Sequence, residues 1–179
     1  MQIGTKTLLF GNHQFILHPL FVGLAWVKLY HKLPNPKEAI CIVIHDWGYW
    51  GRPNLDGKEG ERHPIWAAEW AFNHLDNTID STGWFIPHYF ELCLYHSSSI
   101  AKRYHSEVSR LCIPDKLAVA MMPIWLIVFL GKLTGETEEY RHAPKYAINH
   151  REQMSDAELY RDFRDYYRNE IIPGLKVRN

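Results

Sequence analysis

Six side chains in the first two-thirds of the chain are of the types that hold first-row metal ions. They are His18, the adjacent pair His45-Asp46, His63, His96 and Asp115. Imidazole together with carboxylate suits zinc, iron, manganese and similar metals, and does not suit calcium. An adjacent His-Asp pair has a particular use. Neighbouring positions on a helix end project about a third of a turn apart. Both side chains can then touch one ion, or the carboxylate can bridge two.

The elements that must position these groups are punctuated by proline and asparagine. Pro19 suits a first helical position, and a helix over 19–31 carries Lys28 near its end, where a cation is favoured. Asn35-Pro36-Lys37-Glu38 reads as a cap, a proline and a first-turn acid. The helix it opens runs through Ala39, Ile42 and Ile44 to His45-Asp46, although a short apolar run of this kind is also compatible with a strand. Glycines, a proline and an Asp-Gly pair make 48–60 a loop. Helical patterning resumes at Pro64 and continues to about Leu75. A further loop is expected over 76–83, and Pro87 opens a segment ending at His96. Ser97-Ser98-Ser99 caps a helix that runs through Arg103 towards Leu111, and Pro114 opens a long apolar helix. Ser155-Asp156-Ala157-Glu158 is a capping box for a C-terminal helix. The ligand candidates therefore fall at element ends, where side chains from different helices converge. The expected fold is all-α and single-domain over 1–179, with 132–179 a C-terminal helical extension.

Composition limits the function. The 179 residues carry 20 Lys plus Arg and 20 Asp plus Glu, so formal charge cancels. That gives no electrostatic case for a nucleic-acid scaffold. At 46% hydrophobic and 22% charged the chain is globular rather than disordered. Eleven histidines equal the glycine count, which is unusual and points to metal, proton transfer or chance. Cys41, Cys93 and Cys112 form no CxxC pair, so neither a disulfide framework nor a thiolate zinc site is expected. The first residues lack the apolar run and cleavage site of a signal peptide. Residues 117–131 are uncharged, but 15 residues interrupted by Pro123 fall short of the roughly 18 of a spanning helix. They read as a buried core helix, in a cytoplasmic protein without a membrane segment.

The ordered set His18, His45-Asp46, Asp115 resembles the H…HD…D signature of the HD-domain metal-dependent phosphohydrolases. The local contexts are similar too. Ile42-Val43-Ile44-His45-Asp46-Trp47-Gly48 resembles the apolar run and HD-x-G of that family, and Ile113-Pro114-Asp115-Lys116-Leu117-Ala118 its last helix start. His63 and Tyr95-His96 resemble the added histidines of its two-metal members. Among these are the hydrolases of symmetrical dinucleoside tetraphosphates and the cyclic-dinucleotide phosphodiesterases. Tyr49 directly after Gly48, and the absence of a glycine-tyrosine-proline motif, argue against cyclic-dinucleotide activity.

The resemblance implies an HD-type helical bundle. It also implies one or two divalent ions, iron, manganese, zinc, cobalt, nickel or magnesium. His18, His45, Asp46 and Asp115 would hold the first ion, and His63 and His96 the second, with Asp46 bridging at the catalytic centre. The implied reaction is attack of metal-bound water on the phosphorus of an ester or anhydride, most simply of a nucleotide. Candidate phosphate contacts are Lys58, Arg62, Ser97, Lys102, Arg103 and Lys116, with Ser98 and Ser99 as further donors. Trp47, Tyr49 and Trp50 are candidates for stacking on a base. Glu61 reads as an exposed loop acid rather than an acid-base group, and the remaining seven histidines as surface or capping residues. The partner is thus a small phosphate substrate, and the region after Gly131 is expected to pack and to offer a homodimer interface. The same cage occurs in HD-type di-iron oxygenases, and a non-catalytic metal-bearing regulatory module is a further alternative.

Overall fold

A computed structural model describes residues 1–76, 87–142 and 151–177, and these are all-α, with no strand among the described residues. Ten helices of six residues or more succeed one another among them. They are α1 (Ile3–Phe10), α2 (Leu17–Tyr30), α3 (Pro36–Ile44), α4 (His63–His74), α5 (His88–Leu94), α6 (Ser98–Arg103), α7 (Cys112–Met121), α8 (Ile124–Thr134), α9 (Glu136–His142) and α10 (Asp156–Tyr166). A π-turn, Tyr167–Ile171, and a short turn, Ile172–Gly174, follow.

The helix starts are local chemistry. On α3 the Asn35 side chain accepts from the Glu38 N–H at 2.9 Å, and Glu38 accepts from the Asn35 N–H at 2.7 Å. Ser155 and Glu158 make the same reciprocal pair at the start of α10. Each box satisfies backbone donors that the first turn leaves without helical partners. The run 39–44 is helix, not strand.

The main core joins α2, α3, α4, α5 and α7 through Val22, Trp26, Cys41, Ile42, Cys93 and Leu111. Ala67, Ala68 and Ala71 are fully buried on α4, and their small size lets α4 and α5 approach closely. A second cluster, Ile127, Leu159, Tyr160 and Phe163, fastens α10 to α8.

The structure corrects several expectations. The long apolar helix is two helices, α7 and α8, bent by 101°. Pro123 lacks an N–H and forces the residue before it out of the helical region; Met122 is extended, with φ −61° and ψ 139°. α8 is not buried all round, since Trp125, Phe129 and Leu133 are exposed. No single described helix is long and apolar enough to cross a membrane. α2 begins at Leu17, so Pro19 is its third residue, still among the N–H groups that have no helical partner. α6 ends at Arg103 rather than near Leu111, and His105 beyond it has a left-handed φ of 52°. The 48–60 loop is closed at both ends by 3-10 turns, Trp47–Tyr49 and Gly60–Arg62. Beyond Asp76, the loop expected over 76–83 lies outside the described residues. The sequence pattern marks neither α1 nor α9 as a separate helix. α9 pins the loop, because Glu139 accepts the Leu55 and Asp56 N–H groups at 2.6 and 3.1 Å.

Candidate metal centre

The fold brings all six ligand candidates to one place. His18 comes from the first turn of α2, His45-Asp46 from the end of α3, and His63 from the start of α4. His96 follows α5, and Asp115 lies in the first turn of α7. His18 Nε2 is 3.2 Å from Asp46 Oδ2 and 3.0 Å from Asp115 Oδ1. His45 Nε2 is 3.3 Å and 3.5 Å from the same two oxygens. The other carboxylate oxygen, Asp46 Oδ1, is 3.3 Å from His63 Nε2 and 3.5 Å from His96 Nε2. Two groups of ligand atoms result, His18-His45-Asp46-Asp115 and Asp46-His63-His96, and Asp46 belongs to both.

Three of the four histidines are held in one tautomer by the same local device. The Nδ1–H of His45 donates to the Ile42 carbonyl at 2.8 Å, that of His63 to Gly60 at 2.8 Å, and that of His96 to Cys93 at 2.5 Å. Each acceptor lies three residues back, in the last turn of a helix or in a 3-10 turn, where a carbonyl has a lone pair to spare; that of Gly60 also accepts the His63 backbone N–H. With Nδ1 protonated, a neutral ring presents a bare Nε2 to the centre. His63 and His96 then point two lone pairs at each other across 3.1 Å, with a carboxylate oxygen beside them. On the other side Asp46 Oδ2 is buried and accepts no hydrogen bond. A cation between facing acceptors of this kind would satisfy them. Ions with bonds of about 2.1 Å set neighbouring ligand atoms about 3.0 to 3.4 Å apart, for octahedral and tetrahedral arrangements. The observed separations of 3.0 to 3.5 Å lie in or close to that range, so these buried groups can hold metal ions.

Without a metal, protons take that part. Burial pulls the His18 and His45 pKa values down, but the Asp46 and Asp115 carboxylates outweigh it and leave both raised, His45 strongly. Burial opposes ionisation of Asp46 and Asp115 as well. His45 and His18 overcome it and hold both carboxyls well below the usual carboxylate range. His96 goes the other way. Burial, with the nearby charges of His45 and His63, lowers it to about 4.

The groups around the ligands are fixed by close packing. The Tyr49 ring stacks on His63, centroids 3.9 Å apart and planes 18° apart. It is therefore buried against the candidate ligand His63, and it also lines the cavity described next. Trp47 packs against Phe15 and Trp66, and Trp50 is exposed. Gly48 admits α4, since a Cβ there would lie 1.9 Å from the His63 carbonyl oxygen.

The centre opens on a cavity of about 960 Å³. Asp46, His63, His96 and Asp115 form its floor, and Ser97, Lys102 and Lys116 are on its wall. Burial disfavours the Lys116 cation, but neighbouring acidic groups, Asp115 and Asp56 among them, raise its pKa. Three expected phosphate contacts lie elsewhere. Lys58 and Arg62 are exposed and outside the cavity, and Arg103 is spent on an ion pair with Glu61 at 3.3 Å. They stand beside the candidate ligands in sequence, but Lys58 and Arg62 are on exposed turns and Arg103 ends α6 outside the cavity lining. Glu61, for its part, lies on the cavity wall.

His13, expected to be a surface or capping residue, has a different place. It lies on the cavity wall, its ring 5.2 Å from that of His18. Its Nδ1 is 3.1 Å from Thr7 Oγ1 and 3.8 Å from the fully buried Glu136, which accepts from the Asn12 N–H and the Thr134 hydroxyl. Nothing in residue spacing links position 13 to position 136. Tyr166, Tyr167 and Lys176 also line the cavity, as does His105. No family model, no curated protein and no solved structure matches this chain.

Proposed function

We propose that this protein is a metal-dependent phosphohydrolase of the HD type that cleaves a phosphate ester or anhydride, its substrate a nucleotide. One observation carries the reading. A single carboxylate, Asp46, offers one oxygen to each of two ligand groups, at the floor of a cavity large enough for a nucleotide. His18, His45, Asp46 and Asp115 would hold one divalent ion, and Asp46, His63 and His96 a second. Bound there, such ions supply a water of lowered pKa and the charge to bind phosphate oxygens.

The chain's own residues supply the rest. Lys116, next to ligand Asp115 and on the cavity wall, places a cation where phosphate oxygens lie. Ser97, buried beside His96, offers a hydroxyl on the same wall. The backbone carbonyls of Ile42, Gly60 and Cys93 hold three imidazoles in the tautomer that binds metal, so little reorganisation is needed.

The test is metal analysis of the purified protein, followed by a phosphate-release screen over nucleotides and simple phosphate esters. Changing His45 and Asp46 together to Ala is expected to remove both metal and turnover. Undiminished hydrolysis by that variant would overturn the proposal. Iron in the protein with oxygen uptake and no phosphate release would point to oxygenase chemistry instead.

A further inference from the structure

The cavity extends well beyond the metal ligands, and its outer wall comes from the end of the chain. The Val108 N–H donates to the Lys176 carbonyl at 3.0 Å, and Val108 pairs with Val177 in a parallel bridge. Leu175 and Val177 pack on Ala101, Val108 and Cys112. Lys176 lies between these two packed residues and lines the cavity together with Ala101, Val108 and Leu175. Its backbone is thereby fixed against the α6–α7 connection, close to the α6 turn that carries Lys102. Both lysines line the cavity, and neither has an ion-pair partner among the described residues. Both are exposed, whereas Lys116 is half-buried beside Asp115. The cations are therefore graded from the metal floor to the mouth. Glu107 lies on the same outer wall. Glu61, also on the wall, is paired with Arg103, which leaves Glu107 as the acid set against the two lysines there.

We propose that Lys102 and Lys176 form a second anion-binding subsite at the cavity mouth, so that the substrate carries a negative group remote from the one at the metal centre. The inference rests on the phosphohydrolase reading for the inner group. It adds the substrate class: a nucleotide with two separated anionic groups rather than a simple monophosphate.

The experiment uses full-length protein loaded with manganese and measures binding of two probes by calorimetry. The probes are adenosine 5′-monophosphate and adenosine 3′,5′-bisphosphate. Lys102→Ala and Lys176→Ala are each expected to weaken bisphosphate binding about threefold to fivefold, and the double variant about tenfold, as for solvent-exposed charge pairs. Monophosphate binding and metal content should not change, and Lys28→Ala, at the far end of α2, should leave both affinities as they are. Equal weakening of the two probes, no effect on either, or no bisphosphate binding by the unaltered protein would overturn the subsite. Phosphate release is recorded separately. Lysine-dependent binding without hydrolysis of any phosphate compound would support the subsite and overturn the hydrolase reading. Hydrolysis of the 3′,5′-bisphosphate that is indifferent to both lysines would do the reverse.

Discussion

Asp46 is the residue on which the two halves of the centre depend. Its Oδ2 faces His18 and His45, and its Oδ1 faces His63 and His96. Removing its charge should therefore affect both halves, whereas removing a histidine affects one. In Asp46→Asn, metal content is expected to fall to near zero. In His63→Ala or His96→Ala, one ion should remain, held by His18, His45, Asp46 and Asp115. Metal analysis of the three variants, with circular dichroism to verify folding, checks this. Equal loss in all three would show that the two halves are not separable. The histidines differ in preparation as well as position. Those at positions 45, 63 and 96 have Nδ1 committed to a carbonyl, whereas His18 Nδ1 is buried without a partner.

Helix ends carry this design at the next scale. α3 is started by the Asn35–Glu38 box and ends in His45, so the cap sits at the opposite end of the helix from the ligand. Asn35→Ala should cost about 1 kcal/mol, the usual worth of an N-cap. Metal content should not change, because the main core holds the ligand end of α3 through Cys41, Ile42 and Ile44. Urea unfolding with parallel metal analysis measures both. A loss of metal at unchanged stability would mean that the cap acts on the site itself. The break at Pro123 acts in the other direction. It ends α7 soon after Asp115 and turns α8 away, which leaves α8 to pack against α10.

For the whole molecule, the buried charges make stability depend on pH in opposite ways with and without metal. In chelator-treated protein the raised His18 and His45 pair with Asp46 and Asp115. Their stabilisation is fully present below the ordinary imidazole value of 6.5 and is lost as pH rises through their raised pKa values. His96 works against this on the acid side. With a folded-state pKa of about 4, it penalises the folded state as pH falls from 6.5 towards 4. The lowered Asp46 and Asp115 contribute above the ordinary carboxylate value of 3.8 and lose that contribution as pH falls through their own pKa values. Metal-loaded protein should instead gain stability as pH rises above 6.5, since protons and metal compete for the same nitrogens. Denaturant unfolding from pH 6 to pH 8.5, with and without chelator, tests the sign. Parallel curves would mean that the ligands do not exchange protons for metal.

Much of the centre was legible in the sequence because its parts are local. A cap, a proline and an apolar run locate a helix end, and His45-Asp46 stands at one. His63 directly before Pro64 and Asp115 directly after Pro114 mark the starts of α4 and α7 in the same way. Those signals act within a turn or two, so residue order alone displays them. What only the tertiary structure decided depends on contacts between distant segments. Adjacency to a candidate ligand made Lys58, Arg62 and Arg103 look like substrate contacts, yet Lys58 and Arg62 are exposed outside the cavity and Arg103 pairs with Glu61. His13 gained its place through Glu136, and Tyr49 came to stack on His63 through the close approach that Gly48 permits. Lys176 reached the cavity because one backbone hydrogen bond ties the end of the chain to Val108. Sequence periodicity records which face of a helix is apolar. It does not record which distant segment closes over that face, because that choice is made by packing and by the path of the connections.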